Sequence, residues 1–176
     1  MVTLLTLQDF VDLRGMSANI KFEKDLKQHV LDAQEFELRV FMGESFFLSL
    51  LDDFAAVPSL PTYSDLFNGV KYTYDGNEYE NPGIKKLLVQ YSQARYIAEG
   101  GVTSTPYGLR NKSHDKSEAP DPKIIGRKSA QAKSGATLYE DRIKLFLNRN
   151  KTSYPLWKCA YKKRTVGGGI KISGIG

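Results

Sequence analysis

The sequence predicts a mainly α protein: a helical bundle with a small β-hairpin, a long extended arm or loop, and a flexible C-terminal tail. Three observations predict it. Apolar residues recur every three or four positions over most of the chain, between residues that start and stop helices. One short stretch, around Asp75-Gly76, is rich instead in β-branched and aromatic residues. Two further segments, 111–120 and 158–176, are polar or basic and Gly-rich.

At the N-terminal end, Thr6-Leu7-Gln8-Asp9 resembles a capping box with Asp in place of Glu; Leu7, Phe10, Val11 and Leu13 continue the helix and Gly15 stops it. A longer helix is expected from Asn19 to Phe41. Phe22, Leu26, Val30, Ala33, Phe36 or Glu37, and Val40 fall on one stripe, with Asp25, Lys27, Asp32 and Glu35 largely off it. Gly43 ends that helix, and Glu44 or Ser45 opens the next through Phe46, Phe47, Leu50, Leu51 and Phe54. Pro58 and Pro61 mark a loop, after which Thr62-Tyr63-Ser64-Asp65 caps a short helix that stops at Asn68-Gly69. Val70 to Tyr74 and Asn77 to Glu80 flank Asp75-Gly76, a hairpin over 70–80, because Gly tolerates the positive φ of the turn.

Asn81-Pro82 is expected to start a helix with Pro in its first position. Its apolar face is Ile84, Leu87, Leu88, Tyr91, Ala94 and Ile97 or Ala98, and Gly100-Gly101 end it. Val102 to Arg110 reads as either a strand or a long arm within a loop region over 102–121. Asp121-Pro122 restarts a helix to Asn150 along Ile125, Ala132, Ala136, Tyr139, Ile143 and Phe146. Its alanines suit close helix approach, and Gly135 invites a kink. Tyr154-Pro155-Leu156-Trp157 then forms an apolar, aromatic cluster. The organisation is one helical domain over 1–157 and a basic Gly-rich arm over 158–176 that orders on contact with a partner.

Composition narrows the function. At 176 residues the fold buries roughly 70% of the unfolded surface and needs no staple. The single Cys159 excludes an internal disulfide or a cysteine metal cluster and suits a reducing compartment. No apolar run approaches the ~20 residues that span a bilayer, and no signal peptide is visible, so a soluble intracellular protein with no membrane partner is expected. Charge is polarised: residues 1–100 hold 9 Lys/Arg and 15 Asp/Glu (net −6), whereas residues 101–176 hold 16 and 5 (net +11). The basic half can meet nucleic acid, an acidic partner, or the acidic half of another copy.

Catalytic chemistry finds little support. His29 lies mid-helix beside the apolar stripe and reads as a packed residue. Ser113-His114-Asp115 has triad residue types, but three consecutive side chains cannot converge on one proton path. One Cys and two distant His cannot form a zinc shell, and the acid pairs Asp9/Asp12 and Asp52/Asp53 read as solvated surface. Gly167-Gly168-Gly169-Ile170-Lys171-Ile172-Ser173 misses phosphate-loop spacing. The expectation is a protein that is not an enzyme, with no catalytic, cofactor-binding or metal residues and no cofactor. What remains is basic residues among aromatics: Tyr154, Pro155, Trp157, Lys158, Tyr161, Lys162, Lys163 and Arg164. These suit either phosphates and bases or a protein groove, and the lack of a known nucleic-acid-binding motif favours the protein partner.

One ordered set of segments carries a resemblance over residues 5–157. It comprises Leu7-Gln8-Asp9, Ala33-Gln34-Glu35-Phe36-Glu37-Leu38-Arg39, Tyr63-Ser64-Asp65-Leu66-Phe67-Asn68-Gly69 and Tyr72-Thr73-Tyr74-Asp75-Gly76. It continues with Ala94-Arg95-Tyr96, Val102-Thr103-Ser104-Thr105-Pro106-Tyr107-Gly108, Phe146-Leu147-Asn148 and Tyr154-Pro155-Leu156-Trp157. In these the chain resembles the head–tail connector (adaptor, neck-ring) proteins of tailed bacteriophages, especially the crAss-like phage type. The resemblance implies a structural virion protein at the head–tail junction, assembled in the host cytoplasm. It implies a homo-oligomeric, dodecameric ring between the portal protein and the next neck or tail ring, extending the channel for genomic DNA. It makes the 154–164 segment a partner contact, and the loop carrying Arg110, Lys112, His114 and Lys116 a channel or inter-subunit element. The competing expectation is a nucleic-acid-binding module that grips DNA with the basic C-terminal half.

Overall fold

The computed structural model describes residues 2–55, 60–99, 102–105, 108–111 and 121–158, with only the backbone of 102–105 and 108–111. The fold is mainly α with a small antiparallel hairpin, as the sequence predicts. Helix α1 (Leu7–Arg14) starts where the Asp9 carboxylate accepts from the backbone N–H of Thr6 at 2.8 Å, and it ends at Gly15. The expected 19–41 helix begins only at Phe22 and is built in four pieces: π1 (Phe22–Leu26), α2 (Lys27–Ala33), π2 (Gln34–Leu38) and α3 (Arg39–Met42).

The π turns correct the predicted stripe. An i→i+5 turn holds one residue more than an α turn, so the helix beyond it is rotated by about 100° against an uninterrupted one. Leu26, Val30 and Ala33 are buried as expected, but from the end of π2 onward the inward positions are Leu38, Phe41 and Met42. Phe36 is instead 63% exposed and Val40 72%. Gln34 turns inward in their place. Its Oε1 accepts from Leu4 N at 2.8 Å and its Nε2 donates to Val2 O at 3.0 Å, which fastens the N-terminal segment over the bundle.

Helix α4 (Glu44–Ala55) buries Phe46, Phe47 and Leu50. Helix α5 (Pro61–Asn68) starts two residues earlier than the Thr62 cap predicts, with Leu60 at the cap and Pro61, expected in the preceding loop, in its first turn, where its missing N–H costs nothing. Strands β1 (Val70–Tyr74) and β2 (Asn77–Asn81) form the predicted hairpin, with Tyr72 opposite Tyr79. Helix α6 (Ile84–Glu99) begins two residues after Pro82. The reason lies at the hairpin's base: Asn81 still pairs with Val70, and Gly83 adopts φ +85°. A Cβ on Gly83 would stand 2.6 Å from the backbone of Phe67, Asn68 and Gly69, and one on Gly69 would stand 2.7 Å from Asn81 O. The chain crosses itself backbone to backbone, which only glycine permits.

Strands β3 (Val102–Thr105) and β4 (Gly108–Asn111) pair antiparallel, so the stretch expected as a strand or an extended arm contains a second short hairpin. Helix α7 (Pro122–Arg149) is capped by Asp121, whose side chain accepts from Lys123 N at 2.8 Å, and it runs unbroken through Gly135. The centre of the bundle is α6, packed against α7 on one flank and α2 on another, with α5 and α1 beside it. Helices α6 and α7 are antiparallel and approach through Gln90 and Ala94 on one side and Ser129 and Gly135 on the other; Ser129 Oγ donates to Ala94 O at 2.9 Å. Near the middle, Tyr91 OH donates to Glu140 Oε1 at 2.7 Å, and burial, then that carboxylate, raises the phenol's pKa above its usual value.

Candidate functional site

The C-terminal aromatic cluster is where the sequence placed a partner contact, and the structure corrects that reading for two of its members. After α7, hydrogen bonds from Ser153 N to Asn150 O, Tyr154 N to Lys151 O and Trp157 N to Tyr154 O fold the chain back over the bundle. Tyr154 and Trp157 are buried, 3% and 6% exposed. The Tyr154 ring meets Phe46, Tyr63 and Phe146 at centroid distances of 6.1, 6.5 and 5.7 Å, and its hydroxyl donates to Thr62 O at 2.7 Å. Trp157 lies 5.7 Å from Phe41 and 6.2 Å from Phe46, with Nε1 donating to Asn148 Oδ1 at 3.0 Å. Both rings, with their polar atoms satisfied, latch the end of α7 to α3, α4 and α5. Aromatic area this large is buried wherever the chain can reach a pocket, and here the pocket is its own.

Pro155 and Lys158 are exposed, and Leu156 between the two rings faces out. Tyr161, Lys162, Lys163, Arg164, Lys112, His114 and Lys116 lie outside the described residues, as does most of the 158–176 arm. Arg110 stands in β4 opposite Thr103.

The charged surface is organised by the same long helix. From Pro122 to Tyr139, α7 carries Lys123, Arg127, Lys128 and Lys133 and no acid. Of residues 121–128 only Ile125 is even half-buried, and among the described residues none of the four cations is ion-paired. From Val40 to Gly69 the chain carries Glu44, Asp52, Asp53 and Asp65 and no Lys or Arg. Glu44 is held by Arg39, which also grips Glu35; the Arg39 hydrogen bond keeps the Glu44 carboxyl below its usual pKa. Asp53 accepts from Leu60 N at 2.8 Å, while Asp52 and Asp65 are exposed.

These two regions sit at opposite ends of α7. Phe146 packs on Tyr154, and Tyr154 on Phe46 and Tyr63, so α4 and α5 lie at the helix's C-terminal end. Lys123 lies near its N-terminus, and at 1.5 Å per residue the two ends are about 35 Å apart. Exposed apolar side chains accompany both: Ile124 and Leu138 on the basic stretch, Leu48, Phe54 and Leu60 on the acidic one.

Two clusters had no sequence signal because their members are far apart in the chain. Arg149 stacks on Tyr79 at 3.7 Å and Tyr74 at 4.6 Å and donates to Tyr72 OH at 3.2 Å, which braces the hairpin against α7. Arg95 holds Glu37 at 2.8 and 3.1 Å and covers the exposed Phe36 ring at 5.2 Å, tying α6 to π2. His29 stands edge-on to Tyr96 at 5.8 Å, with Nδ1 3.7 Å from Glu99 Oε2, a contact between α2 and α6. Among the described residues no three His, Cys, Asp or Glu gather as a metal ion requires, and no helix is long and apolar enough to cross a membrane.

The fold and its surfaces therefore define a mainly α protein, latched by its own C-terminal aromatics, with a basic stretch on the N-terminal part of α7 and exposed carboxylates on α4 and α5. Residues 38–166 match the family of unknown function DUF6712, and the chain belongs to that family. No curated protein and no solved structure matches it.

Proposed function

We propose that the protein is a structural virion component of a tailed bacteriophage, a ring at the head–tail junction that joins portal to tail and extends the DNA channel. The observation that carries this reading is the placement of charge among the described residues: Lys123, Arg127, Lys128 and Lys133 without an ion pair on the N-terminal part of α7, and exposed Asp52 and Asp65 on α4 and α5, each set among exposed apolar side chains. Two different, complementary faces on one molecule suit heterologous association, which closes into a ring where the rotation allows. The resemblance to phage connector proteins over residues 5–157 points to the same role. In it the protein is no enzyme and takes no cofactor. Its partners are further copies of itself, the portal, the next neck or tail ring, and the DNA that slides past, and it resides in the virion after assembly in the host cytoplasm.

A second reading has its own support. Lys123, Arg127, Lys128 and Lys133 suit phosphates, so the basic half would grip nucleic acid directly. Native mass spectrometry of the full chain, with and without a short DNA duplex, separates the two. A closed homomeric species without DNA is the expected result. A monomer that gains mass only with duplex, and loses it steeply as salt rises, would replace the ring with the nucleic-acid module.

A further inference from the structure

From the placement of charge we infer which faces meet, an inference that rests on the ring reading. The exposed first turns of α7 in one copy dock on the α4–α5 end of the next, pairing Lys123, Arg127 and Lys128 with Asp52 and Asp65. The basic side carries exposed Lys123, Arg127 and Lys128 with Ile124, its one carboxylate Asp121 being occupied in capping α7, and the acidic side carries exposed Asp52 and Asp65 with Phe54 and Leu60. An apolar centre supplies the contact area, and complementary charge around it sets register and excludes like faces. The occupant is a second copy of this chain, because its charge and its apolar residues match those of the face it must cover. The two faces lie about 35 Å apart along α7, so one copy cannot satisfy both itself and must hand the contact on, head to tail. The latch decides the orientation: by burying Tyr154 and Trp157 against Phe46, it holds the acidic end at the C-terminal end of α7.

The test uses two charge-reversed full-length variants, one carrying Lys123→Glu, Arg127→Glu and Lys128→Glu, the other Asp52→Lys and Asp65→Lys. All five side chains are on the surface, and circular dichroism checks that both variants fold. Sedimentation velocity at low ionic strength reads assembly. Wild type is expected to assemble, each variant alone to associate about tenfold or more weakly, and an equimolar mixture of the two to regain assembly. A wild type that assembles while the variants do so equally well, or a mixture that stays dissociated, overturns these faces and leaves the ring reading standing. Loss of assembly on reversing the acidic end alone would assign that end to the basic arm over 158–176. Loss only in the presence of duplex would assign the basic end to DNA. A wild type that stays monomeric overturns the ring reading itself.

Discussion

Trp157 is the one tryptophan in the chain, so its burial can be read directly. Trp157→Ala removes a side chain that is 6% exposed, packs on Phe41 and Phe46, and donates to Asn148. Truncating a buried aromatic costs about 3–5 kcal/mol, the lost transfer free energy plus the cavity left behind. In a domain of this size that lowers the melting temperature by about 6–20 °C. Trp157→Phe keeps most of the ring contact but forfeits the indole hydrogen bond and some volume, a loss of about 1–2 kcal/mol. Urea unfolding of the monomer followed by circular dichroism gives both values, and wild-type tryptophan fluorescence should report the same midpoint. The native emission should be blue-shifted and poorly quenched by iodide. If Trp157→Ala leaves the unfolding midpoint unchanged yet abolishes assembly, the ring serves a partner and the latch argument is wrong.

Gly83→Ala combines a positive φ with a Cβ placed 2.6 Å from three backbone atoms, so a loss of about 2–5 kcal/mol is expected from strain and overpacking. Gly126→Ala, with nothing within 4 Å on α7, should instead gain about 0.5–1 kcal/mol, and denaturant midpoints that failed to split in this way would undo the hairpin-base account. Gln90 is buried beside Gly135 with an Oε1 that has no hydrogen-bond partner among the described residues. Gln90→Leu should therefore be neutral or stabilising by thermal melt, and a loss above about 2 kcal/mol would mean the amide is satisfied. Tyr91 and Tyr154 have pKa values raised chiefly by burial, from an ordinary 10.0. The neutral phenols stabilise the fold fully below the unfolded pKa, and that contribution is lost as pH rises above it. In an alkaline titration, two of the ten tyrosines should ionise only as the helical signal disappears, and early ionisation of all ten would contradict their burial.

What the sequence determined by itself was what neighbouring residues decide among themselves. The capping residues Thr6, Asp9 and Asp121, the Asp75-Gly76 turn and the 122–149 helix were legible, because a cap, a tight turn or a helical period is complete within a few residues. Charge polarity was legible too, since it needs only counting. Tertiary structure decided the rest. The π turns rotated Phe36 and Val40 outward and Gln34 inward, because Gln34 could then satisfy Val2 and Leu4, some thirty residues away. Gly83 delayed α6 because the backbone at Phe67–Gly69 passes against it. The aromatic cluster at the C-terminus carried the same composition whether it served a partner or the core. Only the pocket of Phe41, Phe46 and Tyr63, brought together from α3, α4 and α5, settled that Tyr154 and Trp157 pack at home. The charged faces were countable in sequence, but their separation along α7 became definite only once that latch set which end each faced.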